Sequence, residues 1–313
     1  MITVHMMGNL GNQLFIYAMA RALQLEQKDQ LTIDLGGLKR GYYSANYKLC
    51  DFNLPENINY NLDKLGLWSK YYYKITSRLF HLQSYICTHY RKDRLMPDWM
   101  KNCWFGRGCH YNNDRSFFKY PSSDKKNKYV YGYFQSEMYF EKYKDVLFKE
   151  LQVKKPVSER DAALIKQMQS ENSVAVSIRA NVAPENPNVK DNLILGMIDK
   201  DFYYRGMEEI AKRVENPVFY IFADSIDIVQ AEYEFPYPVI YVTPEDSSTG
   251  LRLMNNCKHY VISNSTFSWW GAYLSTNPDK LVVMPDKYDR FPPERKDIYF
   301  GNPIKLSVSF LTE

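Results

Sequence analysis

Residues 257–274, CKHYVISNSTFSWWGAYL, constrain this chain more than any other segment. They predict a short buried strand, a polar break and a helix that begins at hydroxyl side chains. The first N–H groups of a helix lack partners within it, and its dipole favours negative charge. One interpretation is therefore a phosphate held at Ser265 and Thr266. The other is that one of these residues caps the helix while the aromatic residues behind it fill the core.

The size and charge of the chain indicate a globular protein that meets something anionic. Its 313 residues suffice for about two domains. The formal net charge is only +4, but 14 basic and 4 acidic residues between positions 64 and 128 give that segment a charge of +10. Such asymmetry indicates an anionic partner for one face. Nucleic acid is not expected, because no recognised nucleic-acid-binding module accompanies the charge.

The cysteines and the N-terminus favour a cytoplasmic protein. Five cysteines are an odd number and lack metal-ligand spacing, which favours reduced thiols. Cys103, Cys109 and His110 come nearest to a zinc site, but no second pair of ligands completes it. Residues 1–6 predict a strand and not a signal peptide, and no apolar run approaches the roughly 20 residues of a spanning helix. We expect a soluble protein, at most peripheral on the inner face of a membrane.

The N-terminal half opens with a strand, a glycine turn, a helix and a second strand. The strands are predicted at 2–6 and 31–35, and this alternation is typical of parallel strands covered by helices. Gly8 and Gly11 permit a tight turn at the edge where open α/β sheets bind ligands. The spacing matches neither the dinucleotide fingerprint nor a P-loop.

Between positions 42 and 128 the sequence becomes rich in Tyr, Trp and basic residues. A helical pattern places apolar side chains on one face: Leu62, Leu65, Trp68, Tyr72, Ile75, Leu79. Basic side chains fall opposite: Lys70, Lys74, Arg78. We expect the apolar face to pack against the core and the basic face to be solvated. The alternative is a surface that contacts anionic lipid headgroups.

Residues 154–158, KKPVS, predict a linker that divides the chain into domains 1–155 and 156–313. Ser158 is predicted to cap the helix that follows. Beyond it, apolar strands alternate with helices, which indicates a second doubly wound sheet. The strands are expected at 174–179, 218–223, 239–242, 260–263 and 281–284. Two such domains facing a cleft would hold a nucleotide on one side and an acceptor on the other.

Polar residues follow three of these strands where a ligand site is expected. Arg179 ends one strand, Asp224 ends the next, and Asn264 begins the polar break described above. An arginine is costly to place there without an anion, and its planar fork suits phosphate. Asp224 could accept hydrogen bonds from a guanine or a ribose, or cap the next helix. Together these residues favour a nucleoside diphosphate.

Four segments resemble one known family over nearly the whole chain. They are residues 8–18 (GNLGNQLFIYA), 132–137 (GYFQSE), 222–224 (FAD) and 264–274 (NSTFSWWGAYL). On these motifs the chain resembles the bacterial α-1,2-fucosyltransferases of glycosyltransferase family 11. The resemblance implies a GT-B fold, that is, two Rossmann-like doubly wound domains facing a cleft. It also implies inverting transfer from GDP-fucose to a sugar hydroxyl, commonly the 2-OH of galactose, with neither metal nor cofactor.

The resemblance also implies roles for single residues. The family motif His-x-Arg-Arg-x-Asp falls on residues 177–182, SIRANV, so that its first arginine is Arg179, expected against the donor β-phosphate. Ser177 stands where the family has His and is also expected among the donor-binding residues, and Ala180 and Val182 replace the second Arg and the Asp. Further donor contacts are implied for Asp224 at guanine, Phe267 beside the base, and Asn264, Ser265 and Thr266 at the phosphates. The acceptor side would include Asn9, Asn12 and Gln13.

Several functional questions stay open at this level. Asp34 and Glu185 are candidates for the general base, and no spacing singles out either. The expected partners are a GDP-sugar, a glycan acceptor for which a lipid-linked precursor is one option, and an anionic membrane surface. The alternatives to fucosyl transfer are another GDP-sugar as donor, or a nucleotide-sugar-binding relative without catalysis.

Overall fold

The computed structural model describes residues 1–36, 38, 47–60, 62, 66–90, 96–112, 116–120, 125–180, 196–290 and 294–311. The chain divides into two compact units. The first comprises Met1–Leu151 with Arg295–Ile298, and the second comprises Gln152–Glu294 with Tyr299–Glu313. The sequence placed the division between residues 155 and 156 and did not foresee that Arg295–Ile298 returns to the first unit.

The first unit contains a four-stranded parallel sheet in the order β2-β1-β4-β3. Its strands are β1 (Ile2–His5), β2 (Leu31–Asp34), β3 (Cys109–Asn112) and β4 (Lys128–Gly132). Its helices are α1 (Leu10–Gln27), α2 (Leu67–Tyr90), α3 (Asp98–Phe105) and α4 (Lys144–Glu150). Short 3₁₀ turns lie at Leu49–Asp51, Glu137–Tyr139, Glu141–Tyr143 and Lys296–Ile298.

The second unit contains a six-stranded parallel sheet in the order β10-β9-β8-β5-β6-β7. Its strands are β5 (Asn172–Ile178), β6 (Pro217–Ala223), β7 (Val239–Tyr241), β8 (His259–Ile262), β9 (Val282–Pro285) and β10 (Ile304–Leu306). Its helices are α5 (Glu159–Ser170), α6 (Lys200–Ala211), α7 (Ile226–Glu232), α8 (Ser247–Asn255) and α9 (Thr266–Tyr273). Two doubly wound parallel sheets were predicted, and this prediction is confirmed.

Local sequence explains several elements of the second unit. Ser158 caps α5 as predicted, because its hydroxyl accepts the amide of Asp161 at 3.1 Å. Helix α6 buries Phe202, Met207 and Ile210 on one face against the sheet. Trp269 and Trp270 of α9 are fully buried and fill the core, as one interpretation of their segment required.

The prediction of which face of α2 packs against the core was wrong. Trp68, Ile75 and Leu79 lie on the face that was expected to pack against the core, yet all three are exposed. The buried face contains Tyr73 and Phe80 instead, which pack against aromatic side chains of β3 and β4. The reason is shape and polarity, because tyrosines on the sheet accept flat rings and hydroxyls better than branched aliphatic groups. Leu65, which was also predicted for that face, lies outside the described residues.

Candidate active site

The second sheet changes its winding direction between β5 and β8. From β5 the chain continues to β6 and β7 on one side, and then returns to β8, β9 and β10 on the other. In an open parallel sheet, the crevice at the carboxyl ends of the strands beside such a switch point is the usual ligand site. The residues that follow β5 and β8 are therefore the first candidates for a functional site.

The strand register brings the predicted donor residues to this edge. Ser177 of β5 pairs with Ile262, the last residue of β8, and Ile178 pairs with Ala223, the last residue of β6. Arg179 and Asp224 thus directly follow adjacent strand ends, and the amide of Ser263 donates to Ser177 O at 3.1 Å. The three predicted polar features lie at one edge of one sheet.

Ser177 fixes the start of α9 against the end of β5. Its hydroxyl lies 2.6 Å from the hydroxyl of Ser268, which in turn lies 3.3 Å from the hydroxyl of Ser263. All three side chains are buried. A histidine in place of Ser177 would not fit this contact, so the family's His position serves here as a brace for the helix that carries Ser265 and Thr266.

The beginning of α9 has the features of an anion site. Ser265 occupies the N-cap position with extended backbone, but its side chain makes no capping hydrogen bond. Capping therefore does not explain its hydroxyl. Ser265 and Thr266 are half-buried, and the N–H groups of the first helical turn lie beside them. Backbone donors, hydroxyls and the positive end of the helix dipole can together hold a phosphate.

Asn264 and Asp224 each have a structural role at this edge. The Asn264 side chain is buried, and its amide donates to the carbonyls of Gly196 at 2.9 Å and Tyr288 at 3.1 Å. Asp224 Oδ1 accepts the backbone amide of Ala180 at 2.7 Å, which fixes the turn that carries Arg179. Asp224 does not cap α7, whose N-cap is Ser225. A guanine contact by the exposed Asp224 stays a prediction.

Phe267 and Arg179 are both half-buried at the same edge. The Phe267 ring tip lies 3.5 Å from the point where a Cβ on Gly250 would stand, so Phe267 borders α8. Its predicted place beside a base, like the predicted phosphate contact of Arg179, is not tested by this geometry. Residues 181–195, which include Val182, Glu185 and the rest of the altered motif, lie outside the described residues.

The carboxyl edge of the first sheet carries the Gly8 turn. Gly8 adopts φ +73°, and a side chain there would clash with Asn12, so glycine is required. Gly11 was predicted to belong to this turn, but it lies in the first turn of α1. Asn9 is the exposed N-cap of α1 and makes no side-chain capping bond. It is thus available to a ligand, as the predicted acceptor-side role requires.

Gln13 supports this turn from inside the unit. It is fully buried, its amide donates to Gly8 O at 2.8 Å, and its carbonyl accepts the amide of Lys48 at 2.9 Å. Both ends of the side chain are therefore engaged with backbone. Its contribution to an acceptor site is to hold the loop and not to touch a ligand.

Asn12 belongs to a hydrogen-bonded chain that ends at a buried arginine. Gln135 donates to Asn12 Oδ1 at 2.8 Å, and Arg295 donates to the carbonyl oxygen of Gln135. Arg295 is only 4% exposed. Phe134, the residue before Gln135, is buried and adopts φ +51°, which is uncommon for a residue other than glycine. Such a strained backbone persists only where the surrounding structure fixes it, and it occurs most often at active sites and ligand clamps.

His5 and Asp34, at the ends of β1 and β2, form a cluster with Tyr73 of α2, which we call the His5 cluster. His5 pairs directly with Asp34 in the strand register, and its Nδ1 lies 3.1 Å from both Asp34 Oδ2 and the Tyr73 hydroxyl. Tyr73 donates to the same Asp34 oxygen at 2.8 Å. The His5 ring stacks on Tyr131 with 4.6 Å between centroids. The imidazole is thus oriented through one nitrogen and by its face.

Asp34 is held ionised in this cluster. Burial raises its pKa, but hydrogen bonds from His5, the Gly36 amide and Tyr73 outweigh burial and hold the pKa below its usual range. Burial and then the Asp34 charge raise the pKa of Tyr73 well above its ordinary value, so the phenol stays a donor. Sequence reasoning named Asp34 but missed His5, although a polar residue at a strand end was the signal that identified Arg179.

The zinc interpretation of Cys103, Cys109 and His110 receives no support. Among the described residues, no group of three or more metal-binding side chains is placed to hold an ion. All five cysteines are free thiols. Within the same part of the chain, every helix is too short or too polar to cross a bilayer.

Comparison with known proteins identifies a family and two relatives. The sequence model of "Glycosyl transferase family 11" matches residues 1–304. The O-antigen biosynthesis glycosyltransferase WbnK of Escherichia coli is 28% identical over 295 residues, which cover 90% of this chain and 92% of the relative. An alpha-1,2-colitosyltransferase of Escherichia coli is 23% identical over 288 residues, which cover 91% of each.

Solved structures are similar only at a distance. The fucosyltransferase NodZ from Bradyrhizobium matches with a TM-score of 0.49 and 12% identity, over 86% of this chain and 91% of the other.

Proposed function

The chain belongs to glycosyl transferase family 11, and from this premise we propose that it transfers the sugar of a GDP-sugar, in the first instance GDP-fucose, to a sugar hydroxyl. The proposed acceptor position is the 2-OH of a galactose in a bacterial glycan. The reaction inverts the anomeric centre and uses neither metal nor cofactor. The observation that carries this proposal is that Arg179 and the start of α9 flank the switch point of the second sheet.

The donor site follows from the charge that develops in the reaction. The bond between the anomeric carbon and the β-phosphate oxygen breaks, and GDP leaves with added negative charge. Arg179 supplies a planar cation, and Ser265, Thr266 and the first N–H groups of α9 supply dipoles directed at the phosphates. Such preorganised groups can replace a metal ion as the stabiliser of a leaving phosphate.

The acceptor hydroxyl must lose a proton as it attacks the anomeric carbon. We propose that His5 is the base that accepts this proton. Its Nδ1 contacts Asp34 and Tyr73, so the accepting atom would be Nε2. Asp34 orients the imidazole and stabilises the imidazolium that forms.

The proposals for the acceptor and for the donor sugar are supported by the names of the relatives. One relative is named for O-antigen biosynthesis and another for α-1,2 transfer of colitose. We therefore propose a glycan precursor as acceptor, in lipid-linked form at the cytoplasmic face of a membrane. Because one relative is named for a sugar other than fucose, a different GDP-sugar is the second candidate donor.

The test is a panel of donors and acceptors with EDTA present. GDP-fucose, GDP-mannose and other GDP-sugars are incubated with galactose-terminated oligosaccharides, and NMR of the product gives linkage and anomeric configuration. Transfer from one GDP-sugar with inversion supports the proposal. Arg205→Ala is the control for a substitution of Arg179, because Arg205 is a half-buried arginine of the same unit that binds Asp201 and Ser307.

A second function is a nucleotide-sugar-binding protein without catalysis. The observation that favours it is the altered motif, in which Ser177 is a brace for α9 and Ala180 is buried in the core. GDP binding with neither transfer nor donor hydrolysis would support this second function. Absence of GDP binding would overturn both.

A further inference from the structure

Helix α2 has two apolar faces, and only one of them is covered. Its buried face carries Tyr73 and Phe80, whose rings contact Tyr129 and Tyr111 at centroid distances of 5.4 and 4.8 Å. A second row of large apolar side chains is exposed, and we call it the apolar stripe: Trp68, Ile75, Leu79, Leu82, Ile86, Tyr90. Its members are between 47% and 88% exposed.

The apolar stripe is continuous along the helix. Its positions are spaced by three, four or seven residues, so they fall on one side of an α-helix. At 1.5 Å per residue the row is roughly 33 Å long. A soluble protein rarely leaves such a contiguous apolar surface in water, and a surface of this kind marks an interaction site.

The charge beside the apolar stripe indicates what covers it. Helix α2 contains no Asp or Glu, while Lys74 and Arg78 are exposed at its flank. A second copy of the chain would bring the same cations against these ones, which costs free energy in a symmetric contact. An anionic surface satisfies both the apolar row and the cations. Trp68 and Tyr90, near the two ends, are the residue types that settle at the boundary between headgroups and acyl chains.

We propose that α2 lies flat on a membrane that contains anionic phospholipid, with the apolar stripe at the headgroup–acyl boundary and Lys74 and Arg78 at the headgroup phosphates. This is the binding mode of an interfacial amphipathic helix, which does not cross the bilayer. Its biological use rests on the proposed function, because a lipid-linked acceptor brings the enzyme to a membrane.

The test is co-sedimentation of the full chain with phosphatidylcholine vesicles, either pure or containing a quarter phosphatidylglycerol. We expect binding to the anionic vesicles that weakens with added salt. The triple variant Ile75→Asn, Leu79→Asn, Ile86→Asn should lower that binding at least about tenfold. The double variant Lys74→Gln, Arg78→Gln should remove most of the preference for anionic vesicles.

The matched control is Val157→Asn, Leu311→Asn, which changes exposed apolar residues outside α2 and should leave vesicle binding unchanged. Unchanged melting temperatures show that the variants fold. Equal binding of the wild type and the triple variant, or a dimer of the wild type that the triple variant converts to monomer, overturns the proposal. The assay contains no donor or acceptor, so its failure is distinct from a failure of sugar transfer.

Discussion

The two sheets carry different kinds of polar group at the carboxyl ends of their strands. At the edge of the first sheet, polar side chains bind one another: His5 with Asp34, and Asn12 with Gln135. At the edge of the second sheet, the polar groups near the switch point are an arginine, hydroxyls and the N–H groups of a helix start. The first edge presents a histidine held by a carboxylate, whereas the second presents an arginine, hydroxyls and helix N–H groups, with the Asp224 carboxylate engaged to the amide of Ala180.

This difference matches two different demands of one reaction. A leaving pyrophosphate needs fixed donors and positive charge, which a helix start and an arginine provide. An attacking hydroxyl needs an acceptor for its proton, and a histidine held by a carboxylate is such an acceptor. We therefore propose that the second unit binds the donor nucleotide and that the first unit accepts the proton. The first three predictions below each test one side of that assignment.

The largest effect is expected at Arg179. Arg179→Ala should lower kcat at least about a hundredfold, because loss of one contact to the leaving group costs roughly 3–4 kcal/mol. Initial-rate measurements with the active GDP-sugar check this value, with Arg205→Ala as control. Near-normal turnover in Arg179→Ala would contradict a role of Arg179 in stabilising the leaving group.

A similar but smaller loss is expected at His5. His5→Gln keeps a hydrogen-bonding side chain but removes the base, and a positioned base contributes about 10²-fold or more. Initial rates of transfer with the active GDP-sugar measure this loss, and calorimetric titration with GDP should show unchanged donor affinity. Near-normal kcat in the variant, or a kcat that falls together with the melting temperature and the GDP affinity, would contradict the role of His5 as the base.

Donor affinity should respond to the hydroxyls at the start of α9. Ser265→Ala with Thr266→Val should weaken GDP binding by about tenfold or more, because a hydrogen bond to a charged group contributes about 1.5–3 kcal/mol. Calorimetric titration with GDP measures this change. Ser225→Ala is the matched control, since Ser225 is also an N-cap that makes no side-chain capping bond. Equal losses in both variants would contradict a specific phosphate site.

A further prediction concerns the stability of the first unit and not the reaction. Burial, with the nearby Lys128 charge, lowers the pKa of His110 to about 4. The unfolded chain binds this proton near pH 6.5, so stability is complete above that pH and falls as pH decreases toward 4, by about 3 kcal/mol at most. Urea unfolding at pH 7 and pH 4.5 measures the loss. In His110→Gln the free energy of unfolding should depend less steeply on pH. An equal dependence in the variant and the wild type would contradict this explanation.

The strands at both edges could be predicted because their sequences are short apolar runs followed by polar turns. Residues 2–6 and 174–179 show this pattern, and β1 and β5 lie there. Strand β3 was missed because Cys109–Asn112 lacks an apolar run. Strand β10 was missed because Ile304–Leu306 is too short to be distinguished from a loop.

The site was predictable as a set of positions but not as a set of contacts. Strand ends of parallel neighbours meet, so Arg179 and Asp224 could be placed at one edge from the sequence. That Ser177 braces α9 depends on a 2.6 Å distance to a residue far along the chain, which no local pattern encodes. The two apolar faces of α2 show the same limit, because periodicity identifies a face but not what covers it.

A crystal structure with GDP bound tests the assignment of the two edges most directly. We predict the β-phosphate within hydrogen-bond distance of the Arg179 guanidinium and of the first N–H groups of α9, with the His5 cluster making no contact to the nucleotide phosphates. GDP phosphates bound at the ends of β1 and β4, or Arg179 and Ser265 too far apart to share one phosphate group, would contradict the account.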